Sequence, residues 1–140
     1  MSKYWQNWFS AWAIFVALFG LVLAGGAFAA TDGMARALFA LFGNPMPDAP
    51  DHLHRFAIGL MGAVTLSWGL TYLGAFRALF ALEPGTAAPI WRYLLKAGIV
   101  WYVIDSGISI ATGYGMNAVS NTVVMAMFLF LLLKSGALKG

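Results

Sequence analysis

The sequence has no cysteine, which excludes a disulfide framework, a thiolate nucleophile and any cysteine-based metal or iron–sulfur site. Charge is almost as scarce. Only 9% of the 140 residues are charged, against about 25% in soluble domains. With five acids and two histidines there is no Ser-His-Asp arrangement, no HExxH, no phosphate-binding loop and no run of carboxylates. Hydrolysis by those routes, ATP use and a multi-step proton relay all lack their parts, so no catalytic residue is assigned and an enzyme is not expected. The eight lysines and arginines sit scattered at segment ends and form no basic stripe, which argues against nucleic acid as a partner. Hydrocarbon is what the chain has in quantity. At 61% hydrophobic it reads as a single integral membrane domain spanning residues 1–140.

Lys3 and the aromatic trio Tyr4, Trp5 and Trp8 suit a membrane surface, and Phe9 to Ala30 then runs without a charge. At ~1.5 Å per residue that is enough for a first span, helix 1, over about 9–30. Ala27-Phe28-Ala29 mimics a signal-peptidase site, but the apolar run before it is longer than a usual signal core, and an uncleaved helix is expected. The connection from Thr31 to Asp51 carries three of the acids. Within it Met34, Leu38, Phe39 and Phe42 recur at helical spacing, predicting a short amphipathic helix lying on the membrane. Pro45, Pro47 and Pro50 end it, and Asp51 suits the N-cap of helix 2, expected over about 52–80. Along helix 2, Gly59, Gly62 and Gly69 share a face, the mark of close helix packing in membranes. Helix 3 is expected over about 88–112, with Pro89 in its first turn, and helix 4 over about 117–133.

Basic residues near the span ends set orientation. One side collects Lys3, Arg77, Arg92, Lys96, Lys134 and Lys139, and the other has Arg36 and Arg55 beside Asp32, Asp48 and Asp51. The expected architecture is therefore an all-α, up-and-down four-helix membrane bundle with both termini cytoplasmic, in a bacterial inner membrane. The acidic connection then faces the exterior.

Asp105 is the one carboxylate inside a span, and an ionisable group at that depth is expensive unless it faces protein or a water-filled cavity. Tyr102, Asp105, Ser109 and Thr112 fall on one face by helical spacing, and Asn117 and Asn121 enter the same layer from helix 4. Arg55 begins helix 2 at that boundary and can reach inward. Arg55, Tyr102, Asp105, Ser109, Asn117 and Asn121 are thus the candidate polar cluster. It is either a structural element, with Asp105 paired to Arg55, or the lining of a pocket where Asp105 holds a cationic or hydroxyl-bearing ligand or exchanges a proton. Other constellations are weaker. His52 and His54 stand two apart and point in different directions on a helix, so no metal is assigned. Thr112-Gly113-Tyr114-Gly115 echoes a potassium filter but lacks its valine and joins two full spans.

The segment HRFAIGLMGAVTLSWGLTYL, an arginine at a helix start followed by a glycine-bearing helix, resembles small bacterial four-helix membrane proteins of the DoxX-like kind. Asp105-Ser106-Gly107 is similar to a polar break found in some of them. The resemblance implies the four-span plan and an accessory role beside membrane oxidoreductases; thiol-based redox roles do not carry over to a chain without cysteine. The expected function is a non-enzymatic accessory or assembly subunit of a larger complex, respiratory or photosynthetic, or a homo-oligomer. The alternative is a small ligand-binding or transport protein for a quinone, lipid or small solute. Membrane lipids and other membrane subunits, or further copies of the chain, are the expected partners. No resident cofactor is predicted, though a quinone, lipid or pigment held at an interface fits either reading.

Overall fold

A computed structural model describes residues 1–139. Five helices follow one another: α1 (Lys3–Gly25), α2 (Gly33–Leu41), α3 (His52–Phe80), α4 (Pro84–Ala111) and α5 (Gly115–Ser135), with no strand among the described residues. All but α2 are long and apolar enough to cross a membrane, making the chain a multi-pass membrane protein by length and composition. The helix limits follow local chemistry. Gly25-Gly26 ends α1 earlier than the apolar run alone suggests, and the Thr31 hydroxyl covers the freed Gly25 carbonyl at 2.7 Å. Pro84 opens α4 one turn before the expected start because a proline is preorganised for a first helical turn; Pro89 consequently lies inside the helix. Asp51 caps α3, its Oδ1 accepting the His54 backbone N–H at 2.7 Å.

The contacts divide the chain into two compact units, residues 13–73 and residues 1–12 with 74–139. In the first unit, glycines bring α1 and α3 backbone to backbone. A Cβ at Gly62 would run into the Ala24 backbone, one at Gly69 into Ala17 and one at Gly20 into Leu66, while at Gly59 it would meet the Ala27 side chain. Membrane helices lack a hydrophobic drive to associate, so such close approach supplies the dispersion contact that holds them. Beside this seam Ala35 of α2 packs with Ile58 and Met46, and Phe39 borders them.

The second unit is centred on aromatic rings. Phe9, Phe76, Trp91 and Phe128 are its largest fully buried side chains together with Leu132. Phe9 lies 4.8 Å from Trp91 and 5.1 Å from Phe76, and Trp12 stacks on Phe128 at 4.9 Å, in offset and edge-on geometries that add to their area burial. The Trp12 indole N–H donates to the Val124 carbonyl at 3.0 Å, satisfying its one polar atom. Nearby, the Arg92 guanidinium donates twice to the Leu138 carbonyl, tying the start of α4 to the segment beyond α5. This core anchors the α4–α5 hairpin, whose other end carries the polar residues.

Candidate functional site

The turn between α4 and α5 exists because Gly113 adopts a φ of +86°, a backbone state that L side chains rarely enter. The chain reverses there, and the Tyr114 N–H returns to the Ser109 carbonyl at 2.7 Å. An antiparallel register follows, in which Asp105 faces Asn121 and Ser109 faces Asn117. Asp105 lies six residues before the end of α4, about 9 Å along the helix.

One carboxylate oxygen of Asp105, Oδ1, gathers the hydrogen bonds. Asn121 Nδ2 donates at 2.6 Å, Asn117 Nδ2 at 3.0 Å, and the Ser109 hydroxyl approaches at 3.3 Å. That hydroxyl has a single proton, and its shorter bond of 2.7 Å goes to the Asp105 backbone carbonyl. The two amides therefore do most of the holding. Each spends its second N–H on a serine: Asn117 on Ser109 Oγ at 2.8 Å and Asn121 on Ser106 Oγ at 3.4 Å. Ser106, Ser109 and Asn121 are buried, while Asp105 and Asn117 remain partly exposed.

The other oxygen, Oδ2, receives no hydrogen bond from any described residue. Every fully buried side-chain nitrogen or oxygen among the described residues has a partner, so this oxygen is not completely enclosed by the chain. Among the described residues of its own unit, no basic side chain pairs with Asp105. One turn deeper, the Tyr102 hydroxyl meets Thr122 Oγ1 at 3.0 Å, extending the polar seam toward the middle of the hairpin. Toward the turn, Thr112 is exposed and bonds back to the Ile108 carbonyl at 2.8 Å.

Of the residues expected together, Tyr102, Asp105, Ser109, Asn117 and Asn121 all lie along this seam. Arg55 belongs to a second cluster. Its guanidinium donates to Asp32 Oδ2 at 3.3 Å and to the Gly26 carbonyl at 3.3 Å. Asp32 is buried and also pairs with Arg36 Nε at 3.0 Å, and Arg36 in turn holds the Pro47 carbonyl at 3.0 Å. Asp32, in the connection that precedes α3, thus accepts from both terminal guanidinium nitrogens of Arg55. Asp32 and Arg36 stand four apart at a helix start, a spacing from which this pair, not expected above, can be read. Ser106 and Thr122 were not expected at the seam: Ser106 is adjacent in sequence to Asp105, and spacing alone gives no reason to place it toward α5.

Outside the spans, Asp51 is held below the ordinary carboxylate range, first by the His54 backbone N–H and then by the His54 ring, whose Nδ1 lies 2.9 Å away. His54 is thus engaged in the α3 cap. Comparisons with protein-family models, with curated proteins and with solved structures find no match to this chain.

Proposed function

We propose that the chain is a small membrane protein of the ligand-binding or transport type, working through the carboxylate of the α4–α5 hairpin. The observation that carries this reading is the asymmetry of Asp105. One oxygen is held by two amides; the other accepts no hydrogen bond from a described residue and is not completely enclosed. A purely structural carboxylate within an apolar span is expected to have both oxygens satisfied, because each unmet polar group there is costly. Here the held oxygen sets the geometry and the open one presents an acceptor. Both termini are placed in the cytoplasm and α2 on the outer surface of an up-and-down bundle, following the distribution of basic residues. The cluster then lies in the outer half of the membrane.

Asparagine at position 105 separates scaffold from function. Its carbonyl oxygen can still accept from Asn117 and Asn121, but an amide replaces the open oxygen. Native mass spectrometry of protein released from its own membranes is expected to show a reproducible small-molecule adduct on the wild type. Asp105→Asn is expected to lose that adduct while remaining folded. A wild-type chain free of any adduct, or a variant that keeps it, would overturn the reading.

A second reading, the accessory subunit suggested by the DoxX-like resemblance, draws support from α3. Ala63, Ser67 and Thr71 are exposed at four-residue spacing, the small-residue face that membrane helices use to pack on another helix. In that case the same mass measurement returns a larger particle that resolves into other polypeptides or further copies.

A further inference from the structure

The seam's open side also indicates what class of molecule reaches it. Trp101, Asp105, Ile108 and Thr112 follow one another at spacings of four, three and four along α4, so they share one face. Trp101 is half-buried, whereas Ile108 is 60% exposed and its neighbour Ile104 is 57% exposed. Asp105 therefore sits where the buried seam meets an outward-facing apolar surface. A span presents that surface to lipid tails. An ionised carboxylate oxygen can only accept, and among the described residues of its unit no basic group pairs with it.

We infer that the ligand is an amphiphile that arrives through the bilayer, with a hydrogen-bond-donating head, hydroxyl or ammonium, on Asp105 Oδ2 and its apolar body along Ile104 and Ile108. This deepens the proposed binding function and rests on it. A donor completes the carboxylate, and an apolar body suits the exposed isoleucines. A molecule that offers only acceptors would set lone pairs against lone pairs.

The test uses the full-length chain, stripped of lipid by exchange into detergent and titrated with defined probes, with occupancy read by native mass spectrometry. Oleyl alcohol and oleylamine supply the two donor heads, methyl oleate supplies the same chain without a donor, and ethanolamine supplies a donor without the chain. One or both oleyl donors are expected to bind roughly ten- to a hundredfold more tightly than methyl oleate, the range for a hydrogen bond to a charged group. Preference for the alcohol or the amine identifies the source of the donor. Asp105→Asn is expected to abolish the preference, and Ile108→Trp, which alters only an exposed position, is expected to weaken both donors by crowding the entry. Equal binding of methyl oleate would overturn the donor requirement, and ethanolamine binding as tightly as oleylamine would overturn arrival through the bilayer. Either result alongside an Asp105-dependent adduct from native membranes would defeat this inference while leaving the binding function standing; failure of that adduct as well would defeat both.

Discussion

Asn121 is the buried residue on which the geometry of Asp105 depends most. It makes the shortest bond to the carboxylate, at 2.6 Å, and is 7% exposed. Replacing it by leucine removes two donors and leaves Asp105 Oδ1 with Asn117 and a shared serine proton. We expect destabilisation of about 1–2 kcal/mol, since two interhelical bonds are lost and each is worth roughly 0.6 kcal/mol on average in a membrane. Denaturant unfolding in mixed micelles measures it, and a double-mutant cycle with Asp105→Asn should return non-zero coupling. Additive effects would mean that the two side chains do not act together. At the start of α3, Asp51 makes a pH-dependent contribution. Because its folded value lies below the ordinary 3.8, the stabilisation is fully present above 3.8 and disappears as the pH falls through the lower folded value. Amide exchange at His54 should therefore be flat from neutral pH down to the carboxylate range, once corrected for intrinsic rates, and accelerate only below it. In Asp51→Ala the exchange should be fast throughout.

At the scale of helices, α1 and α3 approach through glycine and α4 and α5 through hydrogen bonds. These two kinds of contact fail differently. Gly62→Leu sets a side chain into the Ala24 backbone and is expected to lose roughly 1–3 kcal/mol or to prevent folding, as overpacking does. Gly107→Ala, with nothing within 4 Å of the added carbon, should leave stability unchanged or slightly raised. Equal losses at both positions in the same unfolding assay would contradict the assigned seam. Spacing alone places Gly59, Gly62 and Gly69 on one face of α3, but it does not say which helix lies against them. That helix is α1, and its own Gly20 shares the approach at Leu66. The start of α4 was hidden for a related reason, since Pro84 and Pro89 are both acceptable first-turn residues and only the observed backbone chooses between them.

For the molecule as a whole, the four apolar spans were legible because hydrocarbon length and sparse charge leave few alternatives. The ion pairs were less so. Arg55 has acids on several sides in sequence, and its choice of Asp32 depends on how residues 26–55 fold back, which periodicity does not encode. The absence of cysteine makes the proposed orientation directly measurable. Single cysteines at Asp48 and at Ser2 should react oppositely with a membrane-impermeant maleimide in intact cells: Asp48→Cys labelled, Ser2→Cys labelled only after permeabilisation. The reverse pattern would invert the topology. The most direct test of the binding site is a crystal structure of the wild-type chain grown from a lipidic mesophase with its native lipids retained. We predict a non-protein molecule with a polar atom about 2.6–3.2 Å from Asp105 Oδ2, the distance of a hydrogen bond. A basic or amide side chain of the same chain closed over that oxygen, with no room for a ligand, would contradict the account.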